Sequence, residues 1–159
     1  MRVSTARRMA SLLLAATAAA VPASASPLVD LPGRWSGLGS VTMSNGNSEQ
    51  VKCVATYFVG GGGSSLQQNL RCASTSYKID ATATLKVNNG QVSGEWHEKI
   101  YSANGSVSGR ITGNGFNLSI QGENFNAAML VTTSACKQSV SIAPRGFSIS
   151  KISMSLGKC

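Results

Sequence analysis

The chain has 159 residues, a formal net charge of +8, four Cys, 17 Gly and one His. That length fits one domain and leaves little room for a second. Charged residues make up 13% and hydrophobic residues 42%, which excludes a disordered polyelectrolyte; six acidic residues and one histidine leave few groups for acid–base or metal chemistry.

Residues 1–25 read as a secretory signal peptide. Met1-Arg2-Val3-Ser4-Thr5-Ala6-Arg7-Arg8 is a basic head, 9–21 are apolar, and Pro22-Ala23-Ser24-Ala25 ends in the small-residue pattern of a cleavage site. The apolar part is shorter than the ~20 residues a membrane span needs. Arg7-Arg8 leaves both the general secretory and the twin-arginine routes open. Cleavage after Ala25 would leave 11 basic against six acidic residues, a net +5, in a single domain over 26–159. The expected location is outside the cytoplasm, in a bacterial periplasm or beyond the cell.

Beyond residue 26 helix signals are nearly absent and strand signals follow one another. Residues 33–43 and 50–59 alternate in polarity, with Asn45-Gly46-Asn47 between them as a turn. Gly60-Gly61-Gly62-Gly63 reads as a mobile loop tip. Leu66, Leu70 and Cys72 mark a short strand. From Tyr77 to Val87, odd positions are apolar and even positions polar for 11 residues, the period of a half-buried strand. Asn88-Asn89-Gly90 then supplies the positive-φ residues of a tight hairpin. Val92, Trp96 and Ile100 share one face of 91–101, and Ala103-Asn104-Gly105 reads as the next turn. Val107, Gly109 and Ile111, then Phe116, Leu118 and Ile120, alternate on either side of Gly113-Asn114-Gly115. After Gly122-Glu123-Asn124, residues 127–133, 138–143 and 147–156 complete the set, with a turn at Ala143-Pro144-Arg145-Gly146. The apolar phase switches between Ile149 and Ile152, which predicts a bulge near Lys151.

Nine or ten short-connected strands imply sequential antiparallel neighbours. Their apolar faces must be hidden, and a sheet closed on itself hides them and removes its edges. The predicted fold is all-β: an antiparallel up-and-down (meander) β-barrel of about 8–10 strands with two disulfides. A two-sheet β-sandwich is the alternative.

Cys53, Cys72, Cys136 and Cys159 form an even set, and an exported chain oxidises them by default. Of three connectivities, Cys53–Cys72 and Cys136–Cys159 are favoured. A hairpin turning within 60–63 would set Cys53 opposite Cys72, and facing strand residues approach to ~4.5–5.5 Å, within disulfide reach. The second pair is less tidy and needs a bulge or wider loop. No Cys-x-x-Cys spacing is present and His97 is the one imidazole, so no metal or other cofactor is expected.

Little else points to catalysis. In Glu95-Trp96-His97-Glu98, an inward Trp96 turns His97 to solvent and Glu98 inward. A buried acid must be hydrogen-bonded or paired, and the expected partner of Glu98 is an inward basic or tyrosyl group. Asp30, Glu49, Asp80 and Glu123 fall in turns or on presumed outer faces, so no carboxylate pair is expected. The glycine run lacks the Lys-Ser/Thr continuation of a phosphate loop. Lys78 and Lys86 share a strand face with Asp80 between them, a poor nucleic-acid platform. What remains is a cavity. The residues expected to face inward and line it are Trp35, Tyr57, Tyr77, Trp96, Glu98 and Phe116, under the 60–65 loop.

Gly33-Arg34-Trp35, leading into the first strand, resembles the Gly-x-Trp start of the calycin barrels, the lipocalins and avidins. There a first-strand tryptophan plugs one barrel end, and in lipocalins an arginine late in the chain closes over it; here Arg145 or Lys158 would have to serve. The resemblance implies a small, largely apolar ligand and carries over to Trp35 alone. The avidin biotin-site pattern is not recognisable. The chain also looks like small exported β proteins of Gram-negative bacteria. Two functional readings follow: an exported cell-envelope protein binding a small hydrophobic or amphiphilic ligand in a barrel, or a non-catalytic envelope protein with a packed core that contacts a protein, lipopolysaccharide or peptidoglycan. Neither involves nucleic acid, a membrane span or an enzymatic reaction.

Overall fold

A computed structural model describes residues 26–159. The predicted signal peptide, 1–25, lies outside the described residues.

Ten strands follow one another: β1 (Gly33–Met43), β2 (Ser48–Gly60), β3 (Ser65–Ala73), β4 (Lys78–Asn88), β5 (Gln91–Glu98), β6 (Ala103–Ile111), β7 (Gly115–Gly122), β8 (Asn126–Ser134), β9 (Lys137–Arg145) and β10 (Ile149–Gly157). Each pairs antiparallel with its neighbour in sequence, and β1 also pairs with β10, closing the barrel. That closure rules out the sandwich. It gives β1 and β10, separated in sequence by the whole domain, a full set of ladder partners in place of exposed edges.

Period two fixes what faces the lumen. In β4, Leu85 is buried while Thr84 and Lys86 are exposed. In β8, Ala127, Met129, Val131 and Thr133 are buried and every residue between them is exposed. The Asn89-Gly90 turn takes φ values of 48° and 76° and sets Asn88 opposite Gln91, as the hairpin reading requires. Gly94 has a packing reason: a Cβ there would run into the Thr84 carbonyl and the Leu85 backbone, so strands β4 and β5 can coil this tightly only without one. The bulge falls where the phase switch predicts it, because Thr42 pairs with Lys151 but Met43 with Ile149, leaving Ser150 as the extra residue.

Several boundaries differ from the sequence reading. β5 stops at Glu98 and the turn occupies 99–102, so Ile100 is exposed and Ala103-Asn104-Gly105 opens β6. Ser102, at φ 52°, makes that turn without the glycine the reading looked for. Pro144 is not in a turn; it lies one residue before the end of β9, opposite Ala127, at a site where the ladder tolerates a missing N–H. One short helix was not expected: α1 (Pro27–Asp30), capped by the Ser26 side chain on the Leu28 amide, with proline at its start.

Both disulfides form as predicted, Cys53–Cys72 and Cys136–Cys159. Cys53 and Cys72 are direct ladder partners with Cα atoms 4.1 Å apart, and both point into the barrel. The second bridge comes from a different geometry than expected. Cys136 sits in the two-residue turn between β8 and β9, and the Lys158 amide donates to its carbonyl, so the chain after β10 passes directly beside it.

Candidate functional site

The barrel has two unlike ends. At the end where β1 starts, α1 and the segment after it lie across the opening. Leu31 and Trp35 are fully buried and Leu28 nearly so. The Trp35 indole N–H donates to the Leu31 carbonyl at 2.8 Å. Lys158 lies over the Trp35 ring, 4.9 Å from its centroid, and its ammonium also donates to the carbonyls of Asp30 and Pro32. Of the two basic residues the sequence offered near Trp35, Lys158 lies over its ring and Arg145 lies at the opposite end.

A polar chain crosses the barrel just above this floor. Gln68 Nε2 donates to the Tyr57 hydroxyl at 3.0 Å, Tyr57 donates to Gln138 Oε1 at 2.9 Å, and Gln138 Nε2 donates to Thr133 Oγ1 at 3.3 Å. Burial pushes the Tyr57 phenol up to about 12, with the hydrogen bond received from Gln68 pulling it partly back. Sequence reasoning placed Tyr57 inside but missed its partners. Their signal was available: Gln68 and Gln138 sit in phase with Leu66, Leu70 and Val140, Ile142 on the inward faces of their strands. Phe116 is buried at this same end. Trp35, Tyr57 and Phe116 are thus parts of a packed floor.

The other end is built differently. Leu70, Ala83, Trp96 and Ile120 on one wall, and Ile142, Ile152 and Met43 on the other, point inward by strand phase yet remain only half-buried. These side chains lie toward the end opposite to the 60–65 loop. That loop is a short 3₁₀ turn at the closed end, where Gly63 approaches Leu28. Tyr77 lies at the opposite rim and donates its hydroxyl to Met43 Sδ at 3.0 Å. Trp96 lies along the wall, with its indole N–H on the Gln121 carbonyl at 3.0 Å. Its ring meets Phe125, which meets Phe147 in turn, at centroid distances of 5.5 and 4.7 Å. This aromatic arc at the mouth was not read from the sequence, because Phe125 and Phe147 belong to turns that bring together β7–β8 and β9–β10.

Glu98 faces inward and is buried, as predicted, but its partners are neither basic nor tyrosyl side chains. One carboxylate oxygen accepts from the Asp80 amide at 2.8 Å and the other from the Tyr101 amide at 2.6 Å. It ties the 99–102 turn to the start of β4. Glu49 does similar work across the mouth, accepting from the Ser76 amide at 2.9 Å; it sits in the inward phase of β2, not on an outer face. Hydrogen bonds from the Ser74 hydroxyl, and then from Ser76, hold its carboxyl below the usual range. His97 is exposed on the outer wall. Among the described residues, Glu98 is the one buried charge, and no group of three metal-ligating side chains is present. The interior is thus lined mainly by apolar side chains, with a hydrogen-bonded layer near Trp35. No helix among the described residues is long and apolar enough to cross a membrane.

Comparison with known proteins adds a likeness of fold. No family model and no curated protein matches this chain. Among solved structures it is similar to the S-type phycobiliprotein lyase CPES from Guillardia theta, with 14% identity and a TM-score of 0.54. The match covers 79% of this chain and 85% of that one. At that identity the likeness concerns the fold alone.

Proposed function

We propose that the protein binds a small, largely apolar molecule, uncharged or weakly amphiphilic, in the half of the lumen away from Trp35, and that it does so as an exported cell-envelope protein. The observation that carries this reading is the half-exposure of inward-pointing apolar side chains, with Met43, Tyr77, Ile79, Ala83, Trp96, Ile120, Ile142 and Ile152 toward the end away from Trp35 against Val59, Val87 and Ile111 beside it. A core that served packing alone would bury them, since each fully buried aliphatic or aromatic side chain contributes roughly 1.5–3 kcal/mol. Ten strands also enclose more space than the eight that side chains just fill. The Trp96–Phe125–Phe147 arc offers flat surfaces at the entrance, and Tyr77 and Gln68 offer polar contacts to a ligand with one hydroxyl or carbonyl. Small-ligand binding is also what the calycin resemblance implies. The lyase that shares the fold acts, by its name, in connection with phycobiliproteins, and nothing ties that chemistry to these residues.

The proposed role is binding and not catalysis. Both oxygens of Glu98 are occupied by backbone amides, His97 points away from the lumen, and all four cysteines are bridged. Two disulfides are compatible with an oxidising compartment.

The test is a titration with N-phenyl-1-naphthylamine, a neutral apolar fluorophore. Saturable enhancement is expected, abolished by Ala83→Phe, which fills the wall between Gln68 and Trp96, or by Ile152→Trp on the facing wall should the first variant fold poorly. No enhancement, or enhancement indifferent to both substitutions, would instead favour the packed envelope protein. Export is checked separately by the mass of the protein recovered outside the cytoplasm, expected to begin at Ser26.

A further inference from the structure

The outer wall of β1–β4 carries a concavity of about 200 Å³, lined by Arg34, Val54, Thr56, Asn69, Arg71, Asp80, Thr82 and Lys99. A barrel is convex outside, so a hollow there needs a cause. The ladder supplies it: Arg34, Thr56, Asn69 and Thr82 are successive cross-strand partners, and Val54, Arg71 and Asp80 form the next row. Short side chains make the floor, and Val54, Thr56, Asn69 and Thr82 are half-buried although they point outward. Outward residues of the same phase on β7 and β8, such as Asn117, Ser119 and Leu130, are exposed. Long cationic side chains make the walls.

The charge in the hollow is unbalanced. Asp80 pairs with Arg71 at 3.5 Å and with Lys99 at 3.7 Å, and at 29% side-chain exposure it sits lower than either partner. One carboxylate thus holds two cations in place. Arg34 makes no ion pair or side-chain hydrogen bond among the described residues, and neither do the side chains of Thr56, Asn69 and Thr82. Three cations against one carboxylate leave an excess of two positive charges beside unused hydroxyl and amide groups.

We propose that this hollow is a second binding site, separate from the lumen, for a phosphate monoester carried on a small polar molecule. A guanidinium fork such as Arg34 matches two oxygens of a tetrahedral oxyanion, and Lys99 adds a point charge. The hydroxyls of Thr56 and Thr82 and the amide of Asn69 reach the third oxygen or the carrier's own hydroxyls.

The experiment is amide NMR titration of the protein at low ionic strength with inorganic phosphate, glucose 6-phosphate and glucose. Phosphate and glucose 6-phosphate should shift the Thr56, Asn69 and Thr82 amides saturably, the sugar phosphate more tightly, while glucose alone leaves them still. Arg34→Ala should weaken phosphate binding about tenfold, the loss of one charge-assisted contact. Lys137→Ala, a cation on β9 outside the hollow, should leave it unchanged. Shifts that do not saturate, or equal weakening by Lys137→Ala, overturn the proposal by reducing it to general attraction to a basic surface. The lumen reading stands or falls independently, because Arg34→Ala is expected to leave the apolar fluorophore's binding unaltered.

Discussion

Lys158 and Trp35 meet face to ammonium at 4.9 Å, joining the residue that opens the barrel's first strand to the segment that follows its last. The contact explains why the closed end stays closed. The same ammonium holds the carbonyls of Asp30 and Pro32, so it joins the Trp35–Leu31 hydrogen bond and the buried Leu28 and Leu31 in fastening α1 over Trp35. Lys158→Met should therefore lower unfolding free energy by about 1 kcal/mol, the usual value of a cation–π contact with its hydrogen bonds. Lys158→Arg should recover most of it. Urea midpoints measure both, with Trp35 emission reporting the environment of the ring; an unchanged midpoint for the methionine variant would show that the strap carries no weight.

Tyr57 is the middle of the polar floor. Tyr57→Phe removes the acceptor of Gln68 and the donor to Gln138, leaving buried amide groups short of partners at a cost of about 1–3 kcal/mol. The pH dependence has a definite sign. The folded-state pKa of Tyr57, about 12, lies above its ordinary 10.0, so the folded protein holds the proton more tightly. The stabilisation is complete below pH 10 and is lost as pH rises through about 12. Tyrosinate absorbance of the wild type minus that of Tyr57→Phe should accordingly appear near pH 12 and not near 10.

Glu98 is expected to be structural. Glu98→Gln replaces one acceptor oxygen by an amide N–H that faces a backbone N–H, so the 99–102 turn should loosen. Stability should fall by about 1–2 kcal/mol, and the Tyr101 amide should exchange with deuterium faster, while fluorophore binding in the lumen persists. Loss of binding with stability unchanged would place Glu98 on the ligand.

The bridge between Cys53 and Cys72 closes a separation of 19 residues. Replacing both by Ser should cost on the order of 3 kcal/mol in the chain-entropy account. Cys53→Ser alone should leave one thiol, Cys72, which alkylates slowly in the native state because it is buried in the wall. Peptide mapping that finds the label on Cys136 or Cys159 would contradict the pairing.

Strand phase is tested by neighbours. Val107 is buried and Ser108 exposed on β6. Val107→Asp should cost several times more than Ser108→Asp, which is expected to stay within about 0.5 kcal/mol of the wild type.

The alternation of 77–87, the Asn89-Gly90 turn and the symmetry of 53 and 72 about the glycine run were all legible, because each depends on chain geometry over a few residues. Period two assigns faces whatever the partner strand is, and a hairpin of known turn sets its own register. The 99–102 turn was misplaced because Ser102 adopts a positive φ that its side chain does not announce. α1 was missed because four residues show no helical period, although Ser26-Pro27 is a recognised start. Of the expected lining residues, the alternation put all six inside, yet it could not divide them between floor and mouth.

That division is the work of tertiary structure. The amino-acid sequence by itself determined an antiparallel meander, its inward faces and its disulfide partners. Only the closed barrel decided that α1 lies beside Trp35, and that Tyr57 finds Gln138 across 81 residues and Lys158 finds Asp30 across 128. The physical reason is range. Face and turn follow from bonded geometry and local sterics, whereas an open or filled lumen is a balance of side-chain volumes contributed by all ten strands at once, and no stretch of chain carries that sum.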